Sequence, residues 1–277
     1  MGLPTPTRGV ITGAASGLGR AFAVELAAKR ARLLLADVDE VGLAETARLV
    51  RDKGGEAQVA RCDVRDEAAV VALAERADET LGGTDLLINN AGVAVGGDFA
   101  QIPMDDWRWV MDVNLWGVVY GCHVFVPRMV RQGRGFVLNV ASAAGLLAPP
   151  RMAPYNVAKA GVVALSETLH AEFADRGVRV SVLCPTFFET GLLRTARVTD
   201  QKMTGSVERQ MRANKIQAQG VAQAGLEAVA RGQLYAVPMR DGRIFWRLKR
   251  ALPAMFPAVA AWGVRAASRR RPSDAST

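Results

Sequence analysis

The stretch Thr12-Gly13-Ala14-Ala15-Ser16-Gly17-Leu18-Gly19 follows a short apolar run, residues 8–12, and opens a segment of helical periodicity, residues 17–30. Its glycines allow a sharp turn and a close approach of backbone to a pyrophosphate, whose charge would meet free N–H groups and the positive end of a helix dipole. Gly13, Ala15, Ser16, Gly17, Leu18 and Gly19 are therefore candidate cofactor-binding residues. A helix start with merely flexible residues fits the same letters. The position between a strand and a helix is what favours a phosphate cradle.

Outward from this turn the alternation repeats. Apolar runs at 32–36, 58–62, 85–89, 135–141, 179–184 and 234–238 are separated by helix-period stretches at 39–53, 67–81, 105–131, 153–176 and 221–231. Such alternation builds βαβ units, and right-handed crossovers put the helices on both faces of a parallel sheet. The expectation is an α/β fold, a Rossmann-like doubly wound sheet of seven parallel strands, in a single domain over residues 1–242. Residues 187–220 lack a clear strand and follow the end of one, which is where a substrate lid would lie. Residues 243–277 read as a basic, apolar C-terminal extension.

Composition narrows the function classes. A chain of 277 residues, half of them hydrophobic and 27 of them glycine, suits one large α/β domain with buried parallel strands. Cys62, Cys122 and Cys184 are odd in number and form no CxxC pair, which points to a reducing, cytoplasmic setting. His123 and His170 lack metal-ligand spacing, so no metal site is expected. The N-terminus has no signal-peptide pattern, and Pro6 stands where myristoylation would need Ser or Thr. The net charge of +8 is concentrated after residue 242, where eight Arg and Lys face only Asp274. The rest is nearly neutral and no nucleic-acid-binding motif accompanies the tail, so no nucleic-acid partner is expected.

Asp37 closes the second apolar run eighteen residues after Gly19, near the interval at which dinucleotide folds present an acid to the adenosine ribose. A carboxylate there accepts hydrogen bonds from ribose hydroxyls and repels a 2′-phosphate, which favours NAD over NADP. Two alternatives stay open. Asp37 could cap the helix starting near Asp39, and Arg32 or Arg61 could attract a phosphate.

With these residues in hand, the chain resembles the short-chain dehydrogenase/reductase family from about residue 8 to 238. The glycine loop spells TGxxxGxG, Cys62-Asp63-Val64 is similar to the family's adenine-binding segment, and Asn89-Asn90-Ala91-Gly92 to its NNAG stretch. Asn114 stands in Val113-Asn114-Leu115-Trp116-Gly117, and Ser142 precedes the YxxxK pair, Tyr155 and Lys159, by the family's spacing. The resemblance implies catalytic Asn114, Ser142, Tyr155 and Lys159. It adds Asp63, Val64, Asn90, Ala91, Gly92, Tyr155, Lys159, Pro185, Thr186 and Thr190 at the cofactor, and a homodimer or homotetramer formed through the long helices. One departure is Pro185-Thr186, where the family usually has Pro-Gly. A β-branched residue restricts positive φ there and leaves the path of the lid open.

Tyr155 and Lys159 lie one helical turn apart. Making a tyrosine of pKa about 10 a base near neutrality requires about 4 kcal/mol, and one positive charge at ~4 Å in an effective dielectric of ~20 supplies about that much. Lys159 is thus expected to activate Tyr155 for proton exchange with an alcohol or ketone while the nicotinamide exchanges hydride. Ser142 would hold the substrate oxygen, and by the resemblance Asn114 would hold a relay water. An NADPH-dependent carbonyl reductase and a cofactor-binding protein without turnover are the alternatives.

Leu146, Leu147, Pro149, Met152, Phe187, Phe188 and Leu192 fall around the expected reacting carbon, beside Ser142 and Tyr155. They suggest an apolar substrate, with Arg151 and Arg194 as the candidates for pairing a carboxylate. Residues 243–271 mix Ile244, Phe245, Trp246, Leu248 and Leu252 with clustered Arg and Lys, and Pro253 and Pro257 interrupt them. They are too short to span a bilayer. Two readings remain, peripheral contact with an anionic membrane or a helix packed on the domain.

Overall fold

The structure, a computed structural model, describes residues 2–189, 191–199, 201–256, 258 and 261, the side chains of 194, 201–204, 206 and 210 excepted. Its first half runs β1 (Arg8–Thr12), α1 (Gly17–Ala27), β2 (Arg32–Asp37), α2 (Glu40–Asp52), β3 (Glu56–Arg61), α3 (Glu67–Leu81) and β4 (Leu86–Asn89). Then come β5 (Val95–Gly96), α4 (Met104–Met111), a π-helical turn (Asp112–Trp116), α5 (Gly117–Gln132), β6 (Gly135–Val140), α6 (Ala143–Leu147), α7 (Ala153–Glu172) and β7 (Val178–Leu183). The chain continues through β8 (Arg197–Val198), α8 (Gln201–Ala213), α9 (Ala218–Arg231), β9 (Tyr235–Ala236) and α10 (Arg240–Ala251).

Among the described residues seven strands form one sheet in the order β3-β2-β1-β4-β6-β7-β9, and every pairing is parallel. This is the doubly wound arrangement expected from the alternation. Side-chain alternation explains the two layers: Leu33 and Leu35 enter the core with Phe22, Leu26 and Val221, while Leu34 between them joins Phe125, Met129 and Val162 on the opposite face. The strand order reverses between β1 and β4, and their carboxyl ends part there to leave a crevice.

Several boundaries differ from expectation. The single helix read at 105–131 is α4, a π-turn and α5, and the π-turn's inserted residue turns Asn114 inward. The stretch Met104–Gln132 is apolar and long enough to cross a membrane by length and composition alone, but half of its most apolar 18-residue window is buried in the fold. The lid region is not irregular throughout, because α8 falls inside 187–220 and β8 pairs with β5. α10 begins before residue 243 and docks on the domain: Trp246 packs on Tyr235 with ring centroids 4.7 Å apart, and Lys249 Nζ donates to the Leu146 carbonyl at 2.7 Å. Residues 262–277, with the last four arginines, lie outside the described residues.

Candidate active site

A single cavity of about 870 Å³ occupies the crevice. Its floor is the glycine loop. Gly13 has φ +65°, and a Cβ there would stand 2.7 Å from Ala91 Cα, so only glycine fits. Ser16 caps α1 by position without a side-chain bond, and the first turn holds no acid. The N–H groups and dipole of α1 are therefore uncompensated beside the cavity that Ser16, Gly17 and Leu18 line, which suits a pyrophosphate. Gly19, expected at the cofactor, is not in the wall; a Cβ there would collide with the Gly13 carbonyl, so its smallness keeps α1 against the loop. Asn90 lines the cavity and also staples the loop, its Nδ2 donating to the carbonyls of Thr12 (2.9 Å) and Gly13 (3.0 Å).

Asp37 stands at the carboxyl end of β2 in the cavity wall. Its Oδ2 accepts the Ala15 N–H at 3.0 Å, and Oδ1 accepts those of Val38 (2.7 Å) and Asp39 (3.1 Å). It is not the helix cap: Asp39 takes that place, accepting from Gly42 N. Arg32 is spent on Glu56 and the carbonyls of Thr80 and Leu81, and Arg61 stands 3.6 Å from Glu40; neither lines the cavity. Arg65, unforeseen in the sequence, does line it, in a bidentate pair with Asp63 that holds the carboxylate below its usual range. Its position two residues after Asp63 was the available signal.

Ser142, Tyr155 and Lys159 share the opposite wall. Ser142 caps α6, its Oγ accepting the Ala144 N–H at 3.1 Å, and it also hydrogen-bonds Tyr155. Lys159 Nζ donates to the Val140 carbonyl at 2.8 Å and stands 5.9 Å from the Tyr155 ring centre. Burial dominates both groups. It pushes the Tyr155 phenol up to about 12, against a lowering by the Ser142 bond, and the Lys159 ammonium down to about 8. The expectation is that Lys159, almost alone and helped by the positive nicotinamide ring, activates Tyr155; in the cofactor-free site the ammonium donates to Val140, and burial moves the phenol upward. Cys184 completes this buried corner, its thiol pushed up to about 12 by burial.

Asn114 is fully buried and absent from the wall, with Oδ1 accepting from Val93 N and Nδ2 donating to Val93 O, both at 2.8 Å. A Cβ on Gly92 would fall 3.3 Å from Asn114 Oδ1 and 3.7 Å from Lys159 Nζ, so the two groups face each other across that glycine. Of the remaining expected cofactor residues, Ala15, Val64, Ala91, Gly92, Pro185 and Thr186 line the cavity, and Thr190 lies outside the described residues.

Leu147, Pro149, Met152, Phe187, Phe188 and Leu192 line the same cavity, in a chamber beyond the glycine loop. Leu146 does not, being turned from α6 into the core. Arg151 is not in the wall, and the Arg194 side chain is outside the described residues. Trp109, Met211, Asp241 and Phe245 belong to the wall and escaped the sequence reading. Arg197 lies over Trp109 at 3.9 Å and pairs with Asp106 at 2.7 Å, pinning the lid to α4. Thr186 Oγ1 donates to Asp241 Oδ1 at 3.3 Å, so the residue that replaces glycine ties the lid's root to α10.

Comparison with known proteins agrees with this geometry. The family model described as short chain dehydrogenase matches residues 9–201. SadH of Mycobacterium tuberculosis, named an oxidoreductase, is 39% identical over 193 residues, covering 69% of this chain and 70% of that protein. A protein of Lactiplantibacillus plantarum named CLA biosynthesis dehydrogenase/reductase is 38% identical, covering 67% of this chain and 66% of its own. Among solved structures, a short chain dehydrogenase/reductase from Burkholderia phymatum in complex with NAD superposes with a TM-score of 0.84 at 36% identity, covering 97% of both chains.

Proposed function

The chain belongs to the short-chain dehydrogenase/reductase family, and from that premise we propose that it is an NAD-dependent oxidoreductase that interconverts an apolar secondary alcohol and its ketone. The observation that carries this reading is the meeting of Ser142, Tyr155 and Lys159 in one wall of a cavity whose other end is the glycine loop with Asp37.

Bound at the glycine loop, the nicotinamide cofactor supplies or accepts the hydride. Asp37 favours NAD, because among the described wall residues the cations are Arg65, tied to Asp63, and Lys159, far along the cleft; neither stands free to clamp a 2′-phosphate beside Asp37. The NAD complex of the Burkholderia phymatum relative supports the same choice.

Tyr155 holds the proton that moves. With burial keeping its phenol neutral, it is set to donate to a ketone oxygen, and the Ser142 hydroxyl holds that oxygen beside it. In alcohol oxidation the same phenolate takes the proton back, with Lys159 as the neighbouring positive charge. Asn114 fixes the turn after β4 through Val93 and so positions Gly92 and Lys159 rather than touching substrate. Apolar side chains dominate the far chamber, which favours a substrate without a carboxylate at the reacting end. Exposed Trp116 and Val157 on the long helices support assembly of copies through that face.

Tyr155→Phe tests the assignment. Turnover should fall by about 10²–10⁴ or more, while NADH titration gives an unchanged dissociation constant. Retained turnover with an apolar ketone would remove Tyr155 from the chemistry.

A further inference from the structure

α10 presents three different faces. Gly242, Trp246 and Lys249 form the packed one: Gly242 is buried against Thr186, Trp246 lies on Tyr235, and Lys249 reaches the Leu146 carbonyl. Ile244, Phe245 and Leu248, with Leu252 at the helix end and Met255 just beyond, are 52%, 49%, 45%, 44% and 59% exposed. Ile244, Leu248 and Leu252 recur one turn apart, so this is a continuous apolar stripe facing solvent. Arg240, Arg243, Arg247 and Arg250 recur at three- and four-residue spacing on the remaining side, all exposed and none ion-paired among the described residues, although Arg243 donates to the carbonyls of Val237 and Pro238 and Arg250 lies 5.5 Å from the Trp246 ring centre.

A solvent-facing apolar stripe beside a cationic row with no carboxylate partner among the described residues asks for a partner that is apolar and anionic at once. A second copy laid face to face would set one arginine row near another. The acid at hand, Asp241, already accepts from Thr186 and from Gly242 N. An anionic bilayer meets both demands, its headgroups countering the arginines while the stripe sinks to the acyl boundary. Phe245 belongs to the stripe and to the cavity wall, so the surface is continuous with the entrance of the apolar chamber. We propose that this face of α10 docks on an anionic lipid bilayer and turns the mouth of the substrate chamber toward the membrane. The docking goes beyond the proposed reaction, and its test is scored without turnover.

The full-length protein is mixed with vesicles of equal parts phosphatidylcholine and phosphatidylglycerol, or of phosphatidylcholine alone, and floated on a density gradient. The protein should rise with the anionic vesicles, stay behind with the neutral ones, and detach as salt is added. Ile244→Ser/Leu248→Ser/Leu252→Ser should cut partitioning at least tenfold, and Arg240→Gln/Arg247→Gln by roughly fivefold for each arginine. Unchanged NADH binding certifies that each variant is folded, and the arginine pair, exposed on the surface, is informative even where the serine variant fails that control. Failure of the unaltered protein to float, or flotation of folded variants like the parent, overturns the proposal. So does a serine variant whose sedimenting mass falls while its flotation is unchanged, since the stripe would then join copies of the chain.

Discussion

Replacing Lys159 by methionine should stabilise the cofactor-free protein while ending its chemistry. Lys159 is 3% exposed, donates to the Val140 carbonyl, and has no described carboxylate paired with it. Burial lowers its ammonium from 10.5 to about 8, a difference worth about 3 kcal/mol. Because the folded value is the depressed one, the unfolded chain takes up the proton first as pH falls. The penalty is absent above the unfolded value, grows on descending toward the folded one, and is complete below it, so neutral pH carries it in full. Methionine keeps the apolar stem and removes the charge, at the loss of one hydrogen bond, about 1–2 kcal/mol. The net expectation is a variant more stable by about 1–2 kcal/mol at pH 7. Urea unfolding without cofactor measures it. At pH 9 the advantage should shrink by about 1 kcal/mol, because the folded parent, titrating at about 8, has by then released the proton that the unfolded chain still holds. Comparing the two proteins cancels the buried thiols of Cys62, Cys122 and Cys184, which burial pushes up to about 11, 12 and 12 and which weaken both folds at high pH. A variant less stable than the parent at pH 7, or a difference that is the same at both pH values, would refute the reasoning.

Two further perturbations separate the ends of the cleft. Asp37→Ser should raise the NADH dissociation constant about tenfold or more, since a hydrogen bond to a charged group is worth about 1.5–3 kcal/mol, and should tighten NADPH; fluorescence titration that finds the NADH-to-NADPH ratio unmoved would take Asp37 out of cofactor choice. Arg197→Ala removes a half-exposed pair with Asp106 and the contact over Trp109, each worth about 0.5–1 kcal/mol at such sites. Stability should drop by about 1 kcal/mol and KM for an apolar ketone should rise several-fold with NADH binding intact; a loss confined to kcat would place Arg197 elsewhere in the cycle.

The sheet was legible because its central strands are buried on both faces and read as near-continuous apolar runs, as in β4 and β6, whereas the edge strand β3 is largely exposed. The positions of Gly13, Ser142, Tyr155 and Lys159 were legible because short fixed spacings carry them to adjacent strand ends. Energetics were not. The same spacing that puts Lys159 one turn from Tyr155 says nothing of how dry the corner is, and it is desolvation that moves both groups. Asn114 was placed near Lys159, but its bonds to the Val93 backbone depend on a π-turn that helical periodicity does not distinguish from an ordinary turn. Gly19 looked like a third phosphate contact, and only the approach of α1 to the Gly13 carbonyl shows that it is a packing glycine.

The least legible part was the C-terminal helix, and the reason is physical. A helix that buries one stripe announces its packed face by periodicity; α10 carries two apolar directions, Trp246 on one and Ile244 with Leu248 on another, so periodicity cannot say which is inward. What decides is a small residue and a hydroxyl distant in sequence. Gly242 admits the Thr186 methyl, 2.8 Å from where a Cβ would be, and Thr186 bonds Asp241. Those contacts rotate Trp246 onto Tyr235 and leave Ile244 and Leu248 in solvent. The departure Pro185-Thr186, which in the sequence left the lid's path open, is thus the contact that fixes α10 over the chamber. It is also what brings Asp241 and Phe245 into the wall, where no reading of the tail alone would put them.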